Sequence, residues 1–256
     1  MSSQKAIETL LAPGALSVAF QPIVETRREG RRLLALEALV RGPQGTNVAA
    51  APILFEYMRR KREEVAIDRA CVVAVLAAAQ RLDPSVALSL NVHSATLSRD
   101  PEFLTFLADA ADARAVRLDR LTLEIAHHAP LWEGESFRST LEALRHTGVQ
   151  IALDDIGLGQ ANYQMILDCK PDLFKVDGYF VQGCAGDFHR QAILESIQGL
   201  ASKFGARVVA EAVETEPDRA VLERLGVELF QGFLFARPQS AEALAAGGLP
   251  SSLEAG

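Results

Sequence analysis

Short apolar runs alternate with longer segments of helical periodicity along most of the chain. Runs rich in β-branched and aromatic residues fall at 17–24, 32–40, 86–92, 121–125, 150–154, 173–176, 207–210 and 229–235. Each reads as a strand. Between them, residues 103–113, 137–147, 190–204 and 218–225 place apolar side chains three and four positions apart, the spacing of one helix face. Gly148, Gly205 and Gly226 each follow a helical segment and precede a strand, where a helix-terminating glycine belongs. Repeated helix–glycine–strand units predict a parallel α/β sheet.

The first connection departs from that rhythm. Only ETRREGR separates the first run from the second, which is hairpin length and too short for a helical crossover. The first two strands are therefore expected to be antiparallel. The expected fold class is α/β, a modified (β/α)8 TIM-like barrel with an antiparallel first strand pair. At 256 residues the chain has the size of one such barrel. It contains no internal repeat or low-complexity segment, so residues 1–256 are expected to form a single domain with a core at about 17–240. The tail after Pro250 is expected to be loose.

Composition narrows the classes of function. Hydrophobic residues make up 49% and charged residues 23%, which suits a buried core and excludes wholesale disorder. The net charge of −7 disfavours a nucleic-acid polymer as partner, although metal ions or local arginines can still draw a phosphate ligand. The start MSSQKAIETLLAPG lacks a basic segment followed by an apolar one, so no secretory leader is expected. The longest near-apolar run, 70–79, is far short of the ~20 residues that span a bilayer and reads as a buried helix. Cys71, Cys169 and Cys184 show no metal-ligand spacing and read as small buried hydrophobes in a reducing cytoplasm.

Polar residues gather where the strands end. Glu37 sits late in LLALEALV, Asn91 follows VALSL, Glu124 follows LTL, and Asp154 and Asp155 follow QIAL. Lys175 and Asp177 close DLFKVD, Glu211 follows ARVVA with Glu214 three residues on, and Gln231 lies in ELFQGFLF. In a parallel barrel the C-terminal strand ends converge on one face, which is where active sites form. Each residue also has a plainer reading. A carboxylate after a strand can cap the next helix, Asn91 can serve a turn, and Lys175 can lie along the rim. Several carboxylates at one mouth cannot all ionise without a counter-charge, however. An all-oxygen ligand set suits Mg2+ or Mn2+ better than zinc. His127 and His128 are adjacent and read as surface or loop residues. Gly157–Gly159 reads as a flexible loop over the site.

In order along the chain, FQPIV, EALVR, LNV, LEI, DDIG, KVD, AEAVE and QGFLFARP resemble the EAL domain family of bacterial cyclic di-GMP phosphodiesterases. The resemblance runs from about Val18 to Pro238. It implies that Glu37, Asn91, Glu124, Asp154 and Asp155 hold two Mg2+ or Mn2+ ions, with Glu211 nearby. It implies that Gln21, Leu39, Arg41, Asp177, Glu214 and Gln231 contact the dinucleotide, with Arg237 carried in the last motif. The implied chemistry is attack of a metal-activated water on one 3′,5′-phosphodiester, with Lys175 orienting that water and Glu211 accepting its proton. The product implied by the resemblance is linear pGpG.

Three departures from the family pattern stand out. The loop usually close to DFGTGYSSL reads DIGLGQANY, so Ile156, Leu158 and Gln160 are changed. His127 stands where members usually carry a loop-anchoring glutamate, and Ala212 where they usually carry glycine. Weak support behind metal ligands often costs about 10–100-fold in affinity or rate. The alternative function is therefore a catalytically weak or inactive EAL domain acting as a cyclic di-GMP receptor or protein-interaction module, with an unidentified signalling protein as partner. A homodimer is expected, because the loop after the aspartate pair lies near a two-fold interface in the family and is apolar here at Ile156 and Leu158.

Overall fold

The computed structural model describes residues 3–27, 30–126, 134–158 and 163–247. Eight strands close into a barrel in sequence order: β1 Ser17–Arg27, β2 Gly30–Arg41, β3 Leu88–His93, β4 Leu121–Ala126, β5 Gln150–Ile156, β6 Leu173–Val176, β7 Arg207–Ala210 and β8 Leu229–Phe230. β1 runs antiparallel to both β2 and β8, and every other neighbouring pair is parallel. The expected modified barrel is the observed one, and its reversed strand follows from the hairpin-length connection.

The described helices are α1 (Ser3–Leu10), α2 (Ala51–Lys61), α3 (Glu64–Ala79), α4 (Ser94–Arg99), α5 (Phe103–Asp112) and α6 (Gly134–His146). They continue with α7 (Tyr163–Cys169), α8 (Gly178–Val181), α9 (Phe188–Phe204), α10 (Glu216–Arg224) and α11 (Ala241–Gly247). The run at 70–79 lies in α3, which buries Ile67, Val72, Val75 and Leu76. Gly148, Gly205 and Gly226 adopt φ of 87°, 70° and 89°, the left-handed backbone expected of helix-terminating glycines. All three cysteines are buried and free, and burial pushes each thiol upward, Cys184 to about 12.

Two apolar regions separate the inside of the barrel from its outside. The larger packs helices against the outer face of the sheet, with Leu36, Leu90, Leu123, Leu153, Phe174 and Val208. The smaller contains Ile23, Ala35, Ala152, Leu173, Val209 and Leu229, one residue from each of six strands. Side chains alternate across a strand with period two. Residues two positions toward the mouth from this inner layer therefore also face inward, and they are Gln21, Glu37, Asp154, Lys175, Glu211 and Gln231.

Two sequence expectations change. β8 ends at Phe230 instead of continuing to 235. Gly232 presses against Val213, whose carbonyl oxygen would stand 2.1 Å from any added Cβ, and the chain turns there with Phe235 N–H bonded to Gly232 O at 3.0 Å. Ile156 is buried in β5 and pairs with Val176, while Leu158 packs on the core. Ile156 therefore serves the barrel, while Leu158 is half-buried against it. At Gly157, with φ 97°, an added Cβ would stand 2.6 Å from the Phe180 ring, a specific reason for glycine at the start of the expected loop. His127, His128, Gly159, Gln160 and the tail after Pro250 lie outside the described residues.

Candidate active site at the barrel mouth

At the centre of the mouth stands Lys175, from the end of β6, with only 1% of its side chain exposed. Its Nζ contacts Glu124 Oε2 at 2.5 Å, Glu211 Oε1 at 2.7 Å and Glu37 Oε2 at 3.1 Å. A lysine stem buried inside a barrel is tolerated only where its ammonium is paired. Here three strands supply the partners. Asn91 Nδ2 donates to Glu37 Oε1 at 3.1 Å, and Gln231 Nε2 donates to Glu37 Oε2 at 2.6 Å. Gln231 Nε2 also lies 3.4 Å from Gln21 Oε1, and Gln21 Nε2 donates to Ala236 O. Gln21 and Glu37 are directly opposed in the β1–β2 register, as are Asn91 and Glu124 across β3–β4. Side chains far apart in sequence thus meet through strand pairing.

The charges do not balance. Burial works to raise the Glu37 carboxyl, but the Lys175 ammonium and the bonds from Gln231 and Asn91 outweigh it and hold Glu37 below the ordinary value. Glu124 is pushed well above its ordinary value by burial and by the Glu37 charge. Burial likewise pushes Glu211 up to about 8 against the pull of Lys175. For Lys175 burial opposes the charge, but the surrounding glutamates outweigh burial and raise it. One ammonium thus faces three carboxyl groups, of which burial raises two, Glu124 and Glu211, above their ordinary values.

The residues suit a further cation. Oε1 of Glu124 and Oε1 of Gln231 are buried without a hydrogen-bond partner among the described residues. Every donor in the cluster except Lys175 is a carboxylate or amide, the hard oxygen set of Mg2+ and Mn2+. The glutamates close on the lysine in this structure. Among the described residues no three histidine, cysteine or acidic side chains stand at metal-holding spacing. Occupancy by a metal would require the carboxylates to turn from Nζ and shed their protons.

The other expected residues fall into two groups. Asp154 acts electrostatically on Glu124, Glu211 and Lys175 and lines the cavity beside them. Leu39 and the exposed Arg41 line the same cavity. Asp155 lies in β5, and Asp177 and Glu214 lie just beyond β6 and β7. Asp155 follows Asp154 in left-handed backbone at φ 53°, and its N–H bonds Asp154 Oδ1 at 2.9 Å. Asp177 caps α8, accepting from Tyr179 N–H at 2.7 Å, which is the plainer reading of a post-strand carboxylate. Glu214 is exposed on the segment after β7. Arg237 lies over the Phe233 ring at 4.2 Å. Ala212 adopts φ 51°, with its Cβ close enough to exclude one on Gly178.

Residues outside those expectations complete the cavity of about 420 Å3. Pro52 and Phe55 from α2, Asp68 from α3 and His93 from the end of β3 all line it. Strand periodicity was the available signal for His93, two positions beyond Asn91 and thus on the same face.

An acidic barrel mouth organised around a buried lysine defines a class of α/β barrel with a polar face at its strand ends. The family model of the EAL domain matches residues 4–238, and the chain belongs to that family. It is 36% identical over 144 residues to the probable cyclic di-GMP phosphodiesterase PdeA of Escherichia coli (strain K12), covering 53% of this chain and 20% of that protein. It is 33% identical over 157 residues to the cyclic di-GMP phosphodiesterase PA2567 of Pseudomonas aeruginosa, covering 61% of this chain and 27% of that one. The chain thus spans about a quarter or less of the length of these curated relatives. Among solved structures, BlrP1 of Klebsiella pneumoniae in its calcium and cyclic di-GMP complex superposes with a TM-score of 0.78 at 30% identity, over 89% of this chain and 56% of that one. A standalone EAL protein of Vibrio cholerae O395, in its c-di-GMP bound form, gives a TM-score of 0.77 at 26% identity over 94% of both chains.

Proposed function

We propose that this chain is a cyclic di-GMP phosphodiesterase that hydrolyses one 3′,5′-phosphodiester of its substrate to give linear pGpG. The observation that carries the reading is the bonded set of Lys175, Glu37, Glu124 and Glu211, with Asn91 and Gln231 bridging to Glu37. The family membership and the names of the relatives support it.

Glu37, Asn91, Glu124, Asp154 and Asp155 would hold two Mg2+ or Mn2+ ions. When bound, such ions supply Lewis-acid stabilisation of phosphoryl charge and acidify the attacking water. The chain's own side chains do the rest. Lys175 Nζ fixes the orientation of the carboxylates and presents donors to the nucleophile. Glu211, held 2.7 Å from Lys175 Nζ, takes the proton released in the attack when it stands ionised. Arg41 at the rim meets substrate phosphate charge. Leu39 and Phe55 wall the space for a base, and Gln21 with Gln231 closes the far side of the site. Asp177 and Glu214 join the substrate contacts on the family resemblance alone.

The domain is proposed to act in the cytoplasm as a homodimer. Among the described residues no helix is long and apolar enough to cross a membrane. Tyr163, Leu167, Tyr179 and Phe188 are 76%, 62%, 65% and 78% exposed on the successive helices α7, α8 and α9. These side chains, in place of the buried Ile156, are the apolar surface a second copy would cover.

A second reading, cyclic di-GMP receptor or protein-interaction module, draws on one observation: the carboxylates turn inward on Lys175. Incubation of the protein with cyclic di-GMP and Mg2+ or Mn2+, followed by chromatography, separates the two. Formation of pGpG that a chelator stops supports the enzyme. Calorimetric binding in Ca2+ without turnover in either metal supports the receptor and refutes the enzyme.

A further inference from the structure

The cavity beside the carboxylates is otherwise mostly apolar but is also lined by a buried polar pair, Asp68 and His93, that the proposed chemistry does not use. Asp68 is 1% exposed and His93 5% exposed. Oδ2 of Asp68 accepts from the His93 backbone N–H at 2.9 Å and from the Thr96 hydroxyl at 2.5 Å. Oδ1 lies 2.7 Å from His93 Nδ1. A carboxylate accepts only, so the proton of this last bond sits on Nδ1. His93 precedes the first turn of α4, and Asp68 closes that turn through the backbone N–H and Thr96. Any residue at 93 would supply the N–H. The imidazole adds something that the helix start does not require. Its Nδ1 is consumed, its ring is held against Phe55 at 5.6 Å between centroids, and it lines the cavity. The nitrogen left for a ligand is Nε2.

We propose that His93, oriented by Asp68, is a specificity-determining contact that hydrogen-bonds through Nε2 to the edge of a guanine seated in this cavity. The inference rests on the phosphodiesterase or receptor reading above, both of which take the same dinucleotide. At about 420 Å3, the cavity falls in the size range of small-molecule sites. It reaches from Glu37, Asn91 and Asp154 past Leu39 and Phe55 to His93, so a phosphate at the carboxylates and a base at the histidine share one space. Guanine and adenine carry opposite polarity at ring positions 1 and 6. Guanine donates at N1 and accepts at O6, whereas adenine accepts at N1 and donates at N6. With its proton on Nδ1, the neutral imidazole presents Nε2 as an acceptor, which guanine N1–H satisfies and the adenine N1 lone pair does not.

The test uses the full chain in Ca2+. Calorimetry with cyclic di-GMP and cyclic di-AMP compares wild type, His93→Leu and His93→Gln. The expected result is about a tenfold loss of cyclic di-GMP affinity in His93→Leu, with collapse of the preference over cyclic di-AMP. His93→Gln, which keeps a hydrogen-bonding end, stays within about threefold of wild type. A folded His93→Leu that keeps both wild-type affinities overturns the inference. Wild-type protein is read independently through the His93 ring-nitrogen resonances. A shift of Nε2 on saturation with cyclic di-GMP, absent with Ca2+ alone, is expected, and an unmoved Nε2 at saturation overturns the contact even if His93→Leu fails to fold. Wild type that binds no cyclic di-GMP sinks the underlying functional reading, and the inference with it, whereas wild-type binding with an indifferent His93 sinks the inference alone.

Discussion

Replacing Lys175 by methionine removes the one ammonium that joins three glutamates while keeping an unbranched side chain to fill the space. In the native protein that ammonium makes contacts of 2.5, 2.7 and 3.1 Å with Glu124, Glu211 and Glu37. Breaking a buried ion pair by deleting one partner costs about 3–5 kcal/mol. The cost depends on pH, and its sign follows from the three carboxylates. Glu124 and Glu211 have raised values when folded, so their stabilisation is full below the unfolded carboxylate value. It is lost as pH rises through the folded value, about 8 for Glu211. Glu37 is lowered, so its stabilisation is present above the unfolded value and is lost as pH falls through its folded value. Without Lys175, Glu37 loses its main charge partner and joins the other two as a carboxyl that prefers its proton. At pH 5 the variant satisfies the cluster by protonation, and at pH 8 it cannot do so cheaply. The deficit is therefore expected to be small at pH 5 and about 3–5 kcal/mol at pH 8. At roughly 2–4 °C per kcal/mol for a chain of this size, the variant should melt about 6–20 °C lower at pH 8. Thermal unfolding followed by circular dichroism at the two pH values reads this directly. A variant that melts with wild type at pH 8, or shows equal deficits at both pH values, refutes the electrostatic account of the mouth.

Other perturbations address separate parts of the account. Ala212→Gly relieves a left-handed alanine at φ 51°, where a Cβ costs roughly 1–2 kcal/mol, partly offset by ~0.4–1 kcal/mol of glycine entropy; a net gain of about 0.5–1 kcal/mol should appear as a higher denaturant midpoint, and a lower midpoint contradicts the strain. Arg41→Ala should weaken cyclic di-GMP binding by about tenfold while Ca2+ affinity without nucleotide barely changes; unchanged nucleotide affinity in calorimetry removes Arg41 from the site. Light scattering should give a dimer for wild type and a monomer for Leu167→Asp combined with Phe188→Asp, and a wild type that is monomeric at micromolar concentration counts against the α7–α9 interface.

Much of this arrangement was legible along the chain because the barrel converts period-two patterning into position. A polar residue two places beyond an apolar inner-layer residue must face the mouth, as Leu173 and Lys175 or Val209 and Glu211 show. The reversed β1 followed from the shortness of its connection. Helix α1 had no expectation attached, and β8 was drawn too long because the apolar run ELFQGFLF hides the close approach of Gly232 to Val213. Ile156 is expected near an interface but is buried, since a one-dimensional pattern does not tell an apolar side chain aimed at the core from one aimed at solvent. Asp177 took the helix-capping role open to any carboxylate after a strand. Asp68 and His93 went unseen because their partnership joins α3 to β3, and no local spacing announces it. Closure of the glutamates on Lys175, with no metal-holding spacing among the described residues, was equally outside the reach of a pattern.

The central claim is that this cluster performs metal-dependent hydrolysis. The direct measurement is the rate of pGpG formation from cyclic di-GMP by wild type and by Glu37→Ala, side by side at saturating Mn2+, with both proteins shown to be folded. The account predicts turnover by wild type and none above background for Glu37→Ala, whose lost carboxylate bonds Lys175, Asn91 and Gln231. Wild-type turnover that persists undiminished in a folded Glu37→Ala, or no turnover by wild type at all, would contradict it.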